Sequence, residues 1–126
     1  MSVKYTVNER GNPQQPQQPK KWYANAKSAG NTTLRTLGKE IAARSTVSPA
    51  DTQAVLVALT EVLVEHLADG KIVRLGDFGA FQVSLSSTGA EAEVKFNASL
   101  IKGGKVIFRP GIDLKEMLNN LKYEKA

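Results

Sequence analysis

The side chains that could do chemistry in this sequence are mainly basic, and their chemistry is the binding of negative charge. The chain of 126 residues has 17 Lys and Arg against 12 Asp and Glu, a net charge of +5 with a pI near 9.6. Residues 1–27 contain five basic residues and one acidic residue, so they carry +4 and the rest of the chain carries +1. This distribution favours a polyanionic partner, attracted mostly to the N-terminal segment.

Two lysines and two aromatic residues stand side by side in Lys20-Lys21-Trp22-Tyr23. Such a cluster can hold phosphates through its ammonium groups and stack its rings on bases. The alternative is that the Trp-Tyr pair docks the N-terminal segment onto the rest of the chain, because aromatic side chains are usually buried. The residue types favour docking for the aromatic pair and leave phosphate contact open for the two lysines.

The sequence lacks the residues that catalysis and metal binding usually require. The chain has no Cys and a single histidine, His66, so it offers neither a thiolate nor a Cys- or His-rich metal site. Its acidic residues are scattered, no nucleophile stands beside a base, and no Gly-rich nucleotide-binding loop occurs. We therefore predict a protein that is not an enzyme and that uses no cofactor, metal or small-molecule substrate. His66 falls on an apolar helix stripe, which predicts a position in a core or a subunit interface.

Length and hydropathy predict one domain with no membrane segment. A chain of 126 residues is the usual size of one domain. Its apolar stretches are only a few residues long, and the N-terminus lacks the apolar region of a signal peptide. The expected location is the cytoplasm.

The elements that must position the basic residues begin with an N-terminal extension, predicted over residues 1–30. Residues 3–7 alternate apolar and polar side chains, which predicts a short strand. Three prolines spaced three apart follow within residues 10–19, and this spacing predicts an extended, polyproline-like connector. The globular domain is predicted over residues 31–126.

Two helices open this domain. Apolar residues recur at helical spacing over residues 34–44, and a longer stripe runs from Val55 to Leu67. Ser48 is the predicted N-cap of the second helix, with Pro49 at its first position and Asp51 near its positive end. Gly70 is predicted to end it in a left-handed conformation.

Several antiparallel strands and a short helix complete the pattern. Strands are predicted over residues 71–77, 80–86, 93–97 and 106–108, with turns at 87–89 and 102–105. The final helix is predicted from residue 112 or 113 to about 121. Phe78, Phe81 and Phe108 are expected to pack in a core rather than stack on bases.

Two motifs within this pattern resemble the bacterial histone-like HU/IHF family of DNA-binding proteins. Residues 70–81 read GKIVRLGDFGAF, and residues 108–111 read FRPG and are followed by Leu114-Lys115. The resemblance covers residues 31–122. The added strand, proline-rich segment and Trp-Tyr pair resemble the longer HU-related subgroup with an N-terminal extension.

The resemblance implies an α+β fold: a helical base of two N-terminal helices, an antiparallel β-sheet with a β-arm, and a short C-terminal helix. It also implies an intertwined homodimer whose arms enter the minor groove of DNA and bend it with a proline wedge. Residues 75–94, however, contain no Lys, Arg or Pro and carry Asp77, Glu91 and Glu93. We therefore expect a short, acidic hairpin near residues 87–89 in place of a wedging arm.

The predicted DNA contacts are basic residues from both parts of the chain: Lys20, Lys21, Lys95, Lys102, Lys105, Arg109 and Lys115. The resemblance implies the roles of Arg109 and Lys115, whereas the family's other lysine is replaced by Ile112. Lys95, Lys102 and Lys105 are predicted on or beside the later strands, where the alternative is that they are solvated edge charges.

We predict a nucleoid-associated, architectural protein that binds duplex DNA as a dimer with little sequence preference. The alternative is an HU-fold structural or protein-interaction module with little DNA binding.

Overall fold

The computed structural model describes residues 1–126 and has the predicted α+β composition, with three helices and two three-stranded sheets. Contacts divide the chain into two units, Met1–Thr33 with Met117–Ala126 and Leu34–Glu116. The final strand therefore belongs with the N-terminal strands, although the two are far apart in sequence. The division at residue 30 remains a prediction. No helix is both long and apolar enough to span a bilayer.

The first unit contains a β-hairpin and a third strand. Strand β1 (Val3–Arg10) pairs antiparallel with β2 (Lys21–Lys27), and β1 also pairs in parallel with the C-terminal strand β6 (Tyr123–Lys125). The predicted first strand is confirmed and is longer than expected. The sequence analysis missed β2 and β6.

The predicted proline-rich connector is wrong, because residues 11–20 are the loop that joins β1 to β2. The Gln15 N–H donates to the Asn12 carbonyl at 3.1 Å, and the Gln14 N–H donates to Asn12 Oδ1 at 3.0 Å. An Asn side chain that accepts from the backbone two residues ahead favours a turn, and proline fixes the φ angle that a turn needs. The same prolines therefore reverse the chain.

The two helices of the second unit match their sequence signals. Helix α1 spans Leu34–Ala43 and α2 spans Pro49–Ala68. The Ser48 hydroxyl accepts a hydrogen bond from the Asp51 N–H at 3.1 Å, which is the predicted N-cap. Gly70 follows α2 with φ +79°, the left-handed conformation that glycine adopts without steric cost.

The central sheet has the order β3-β4-β5, formed by Val73–Arg74, Gly79–Ser87 and Ile101–Pro110. The ring centroid of Phe108 lies 4.8 Å from that of Phe81 and 5.8 Å from that of Phe78, so these rings pack against one another. Phe78 and Phe108 are 47% and 38% exposed in the single chain, so their predicted burial in a core stays a prediction. Gly79 permits it, because a Cβ there would lie 2.5 Å from the Phe108 ring.

Two predictions about the later strands are wrong. The predicted turn at residues 102–105 lies inside β5, where Gly103 and Gly104 pair with β4 across a register shift. Glycine is tolerated in strands at such irregularities. The predicted strand at residues 93–97 is replaced by 3₁₀ turns at Glu93–Lys95 and Ala98–Leu100, the second held by the Asn97 side chain, which accepts from the Ser99 N–H at 2.9 Å. Residues 88–100 therefore join β4 to β5 as an irregular segment.

Helix α3 (Ile112–Asn119) confirms the predicted final helix. It begins against the turn that precedes β4: the Gly111 N–H donates to the Phe78 carbonyl at 2.8 Å, and the Asp113 N–H donates to the Asp77 carbonyl at 3.1 Å. A Cβ at residue 111 would collide with the Asp77 carbonyl oxygen. Glycine is required here by close approach of two backbone segments.

Candidate nucleic-acid interface

One face of the central sheet gathers basic side chains. Arg74, Ala80 and Arg109 are cross-strand neighbours in one row, and neighbouring strands lie about 4.8 Å apart, so the two arginines flank a small residue at a separation of about 10 Å. Lys105 lies four residues along β5 from Arg109, a spacing that places both side chains on the same face. We call Arg74, Lys105 and Arg109, together with Ala80, Gln82, Ser84 and Ile107 on the same side of the sheet, the central basic face.

The opposite face of this sheet is apolar, which explains why the cations lie together. Val73 pairs with Phe81 and Phe81 pairs with Phe108, so alternation puts the packed rings on one side and the charges on the other. The sequence of β3, β4 and β5 contains four basic residues and no acidic residue. The three charged members of the central basic face are exposed, and none forms an ion pair. Their charge is therefore available to a ligand.

A depression of about 570 Å³ continues this surface toward the far end of β4 and β5. Its polar lining consists of Ser84, Ser86, Lys102 and Lys105, and the glycine pair of β5 leaves it open. Lys102 stands at the register shift between the two strands, where it has no cross-strand partner residue. Two hydroxyls and two ammonium groups around one depression are donors suited to phosphate oxygens.

Lys95 does not lie on the central basic face. The expectation that Lys95 lies on or beside a later strand fails, because it ends the 3₁₀ turn Glu93–Lys95 and its ammonium lies 3.5 Å from the Glu91 carboxylate. The expected acidic hairpin is also wrong in its placement of charge. Glu91 and Glu93 lie in the irregular segment 88–100, and both paired strands are free of acidic residues.

The other predicted contacts lie on separate elements. Lys115 is exposed on α3 in the second unit. Lys20 and Lys21 belong to the first unit, where Lys20 ends the hairpin loop and Lys21 begins β2 opposite Arg10. Trp22, which was expected to dock, is 65% exposed in this chain.

Arg74 is the basic residue of this face that the sequence analysis missed. Its position could have been predicted from Ile72-Val73-Arg74-Leu75, because side chains alternate along a strand. A strand that turns Val73 toward the apolar side turns Arg74 to the other side. No group of three or more His, Cys, Asp or Glu side chains is arranged to hold a metal ion. His66 is exposed on α2, so the prediction of a core position within this chain is wrong and only the interface alternative stays open.

Comparisons with known proteins agree with this architecture. Residues 1–125 match the family model described as "HU domain fused to wHTH, Ig, or Glycine-rich motif". Among solved structures, the chain is similar to a candidate bacterial DNA-binding protein from Bacteroides vulgatus ATCC 8482, with a TM-score of 0.68 and 12% sequence identity. The match covers 98% of this chain and 47% of that one, so this chain spans about half of its length. At this identity the likeness shows a shared fold. No curated protein matches the sequence.

Proposed function

The chain belongs to the family of HU domains fused to a wHTH, Ig or glycine-rich motif, and from this premise we propose that it is a non-enzymatic protein that binds duplex DNA. The match to an HU family and the description of the Bacteroides vulgatus relative as a candidate DNA-binding protein support this proposal. The proposed place of action is the bacterial nucleoid.

The observation that carries the proposal is the central basic face. Arg74, Lys105 and Arg109 present positive charge on strands that hold no acidic residue. Exposed cations bind phosphates, which every DNA sequence offers alike, whereas sequence recognition needs contacts to base edges. The proposed binding therefore has little sequence preference.

The proposed binding does not use a proline wedge. Residues 88–100, which join β4 to β5, contain no proline and no extended two-stranded arm. Wedging apolar side chains between base steps is what produces large kinks in minor-groove complexes. The proposal therefore includes only modest bending of the duplex.

The proposal includes a homodimer, because the single chain does not cover its apolar side chains. No apolar side chain is fully buried, and Val55, Leu59 and Val62, on one face of α2, are 63%, 40% and 45% exposed. The accessible surface of 10,656 Å² exceeds the roughly 6,600 Å² usual for a folded monomer of 13.6 kDa. This excess of about 4,000 Å² on each chain is larger than the share that one subunit gives to most interfaces, so it leaves surface for a partner to cover.

Titration of the purified protein into a fluorescent duplex of about 30 base pairs at several salt concentrations tests the proposal. The variant R74A/K105A/R109A removes the three charges of the central basic face. Each phosphate contact contributes about 0.9 to the slope of log affinity against log salt, so two subunits should lose a slope of about 5.

The control R44A/K39A/K71A removes three cations that lie outside the central sheet. It should keep most of the wild-type slope. Equal slopes for the two variants would show that the central basic face is not the site. Failure of the wild-type protein to bind at low salt would favour the alternative of a structural or protein-interaction module.

A further inference from the structure

The N-terminal sheet has a second basic surface that the central basic face does not include. The register of β1 and β2 places eight side chains of alternating positions on one side, and we call this set the hairpin polar face: Lys4, Thr6, Asn8, Arg10, Lys21, Tyr23, Asn25 and Lys27. The other side carries mainly apolar residues, including Val3, Tyr5, Ala24 and Ala26. The four cations of this face are exposed, whereas Thr6 and Asn25 at its centre are half-buried, so the charges are left for solvent or a polar ligand.

The charges on the hairpin polar face are arranged as two like-charge pairs. Lys4 stands directly opposite Lys27, and Arg10 stands directly opposite Lys21. Like charges at directly opposed positions destabilise a pair of strands. Ordinary sheet stability would select opposite charges or uncharged residues there, so the pairs call for another explanation, which an anionic ligand supplies.

Neither pair is neutralised by an acidic side chain. No ion pair involves any of the four cations, and the guanidinium of Arg10 donates to Asn25 Oδ1 at 2.7 Å, a neutral partner. Glu124 lies beside Lys4 in the register of β6, but its carboxylate accepts from the Ser2 hydroxyl at 3.0 Å. The face therefore carries four positive charges, and Glu124 beside it carries one negative charge.

The spacing of the two pairs matches an extended polyanion better than a small one. Six residues of β1 separate Lys4 from Arg10, a distance of about 20 Å at about 3.3 Å per residue. One phosphate would reach only one pair. A nucleic-acid strand repeats its phosphate charge at intervals much shorter than about 20 Å, so both pairs could engage one nucleic-acid ligand.

The residues between the two pairs are polar and uncharged. Thr6 stands opposite Asn25, and Asn8 stands opposite Tyr23, which is 48% exposed. These side chains offer hydroxyl and amide donors to phosphate oxygens, and they add no negative charge that would repel a backbone. The middle of the face can therefore lie against the same ligand as its ends.

We propose that the hairpin polar face is a second site for the phosphodiester backbone of nucleic acid, bound by the two cation pairs Lys4/Lys27 and Arg10/Lys21. The inference rests on the proposed function and deepens it, since it adds a second surface of the chain that contacts DNA. The site extends the predicted pair Lys20 and Lys21 to three cations that the sequence analysis did not select.

Charge reversal on one strand tests the site without weakening the hairpin. In K21E/K27E each like-charge pair becomes a pair of opposite charges, so the melting temperature should stay the same or rise. Binding is measured on the full chain with a duplex of about 30 base pairs and with a single strand of the same length. Loss of up to four contacts from each chain should lower the salt slope by about 3 to 4 per chain and weaken binding roughly tenfold or more.

The matched control K122E/K125E makes the same change of charge in the same unit, at positions that precede β6 or lie on the apolar side opposite Tyr5. A neutral variant, K4T/K27T, covers the case that charge reversal perturbs folding, because threonine is favoured in strands. The salt slope and the binding affinity should both fall for K21E/K27E and change little for K122E/K125E.

Equal losses for reversal and control would overturn the inference, because only total charge would then matter. Wild-type binding by K21E/K27E and K4T/K27T, with R74A/K105A/R109A impaired, would overturn the inference and leave the proposed function standing. No binding by the wild-type chain would overturn both. A loss confined to the duplex or to the single strand would support the site and identify the form of nucleic acid it takes.

Discussion

Substitution of the exposed valines of α2 should weaken a dimer strongly while leaving the chain's own contacts nearly intact. Val55 and Val62 lie seven residues apart on one helix face, with 63% and 45% of their surfaces exposed in the single chain. V55A/V62A removes two carbons at each site. At about 0.8 kcal/mol per buried carbon, scaled by these exposed fractions, the loss is about 1.7 kcal/mol per subunit if a partner covers the face.

Two subunits contribute equally to a symmetric interface, so the total loss is about 3.5 kcal/mol. This corresponds to a roughly three-hundredfold higher dissociation constant of the dimer. Sedimentation velocity over a range of protein concentrations measures it directly. The midpoint of urea unfolding should also depend on protein concentration for the wild-type chain.

Val94 supplies the matched control. It is 92% exposed in the irregular segment between β4 and β5, so V94A makes the same chemical change away from α2. Dissociation of V94A should equal that of the wild type. The same dissociation constant for V55A/V62A and V94A would refute the reasoning, as would a wild-type chain that is monomeric and cooperatively folded at micromolar concentration.

Two further predictions concern the start of α3 and the segment that joins β4 to β5. G111A should lower the free energy of unfolding by about 1–3 kcal/mol in urea titrations, because its Cβ would collide with the Asp77 carbonyl, whereas G89A should change it little because open space surrounds residue 89. E91Q removes an exposed ion-pair partner of Lys95, so stability should change by less than about 1 kcal/mol while DNA affinity at low salt rises. Unchanged affinity for E91Q would show that residues 88–100 lie away from bound DNA.

Local signals predicted the elements whose structure depends on neighbouring residues. Ser48, Pro49 and Gly70 set the limits of α2 through capping, a fixed φ and a left-handed φ, all of which act within a few residues. The three helices were predicted for this reason, and the resemblance to the HU family is confirmed by the family match. The proposed subgroup stays a prediction.

Strand β6, which the sequence analysis missed, depends on a partner far away in the chain. The three residues of β6 form a strand only because β1 supplies hydrogen bonds from the other end of the sequence. Gly103 and Gly104 look like a turn in isolation, but β4 holds them in a strand. Pairing between separate segments leaves no local pattern, which accounts for the errors at β6 and at Gly103-Gly104.

The fold separates acidic from basic residues that are neighbours in the sequence. The low net charge outside residues 1–27 argued against a strong basic surface there, because acidic and basic residues were summed over the whole segment. In the structure the acidic residues of that segment lie on helices, on connecting segments and, for Glu124, on β6, while β3, β4 and β5 carry four basic residues and no acidic one. With a Debye length of about 10 Å in 0.1 M salt, a phosphate responds to the charges of the face it touches. A net charge of +1 therefore does not weigh against DNA binding by the central basic face, because electrostatic attraction at this range depends on where the charges lie.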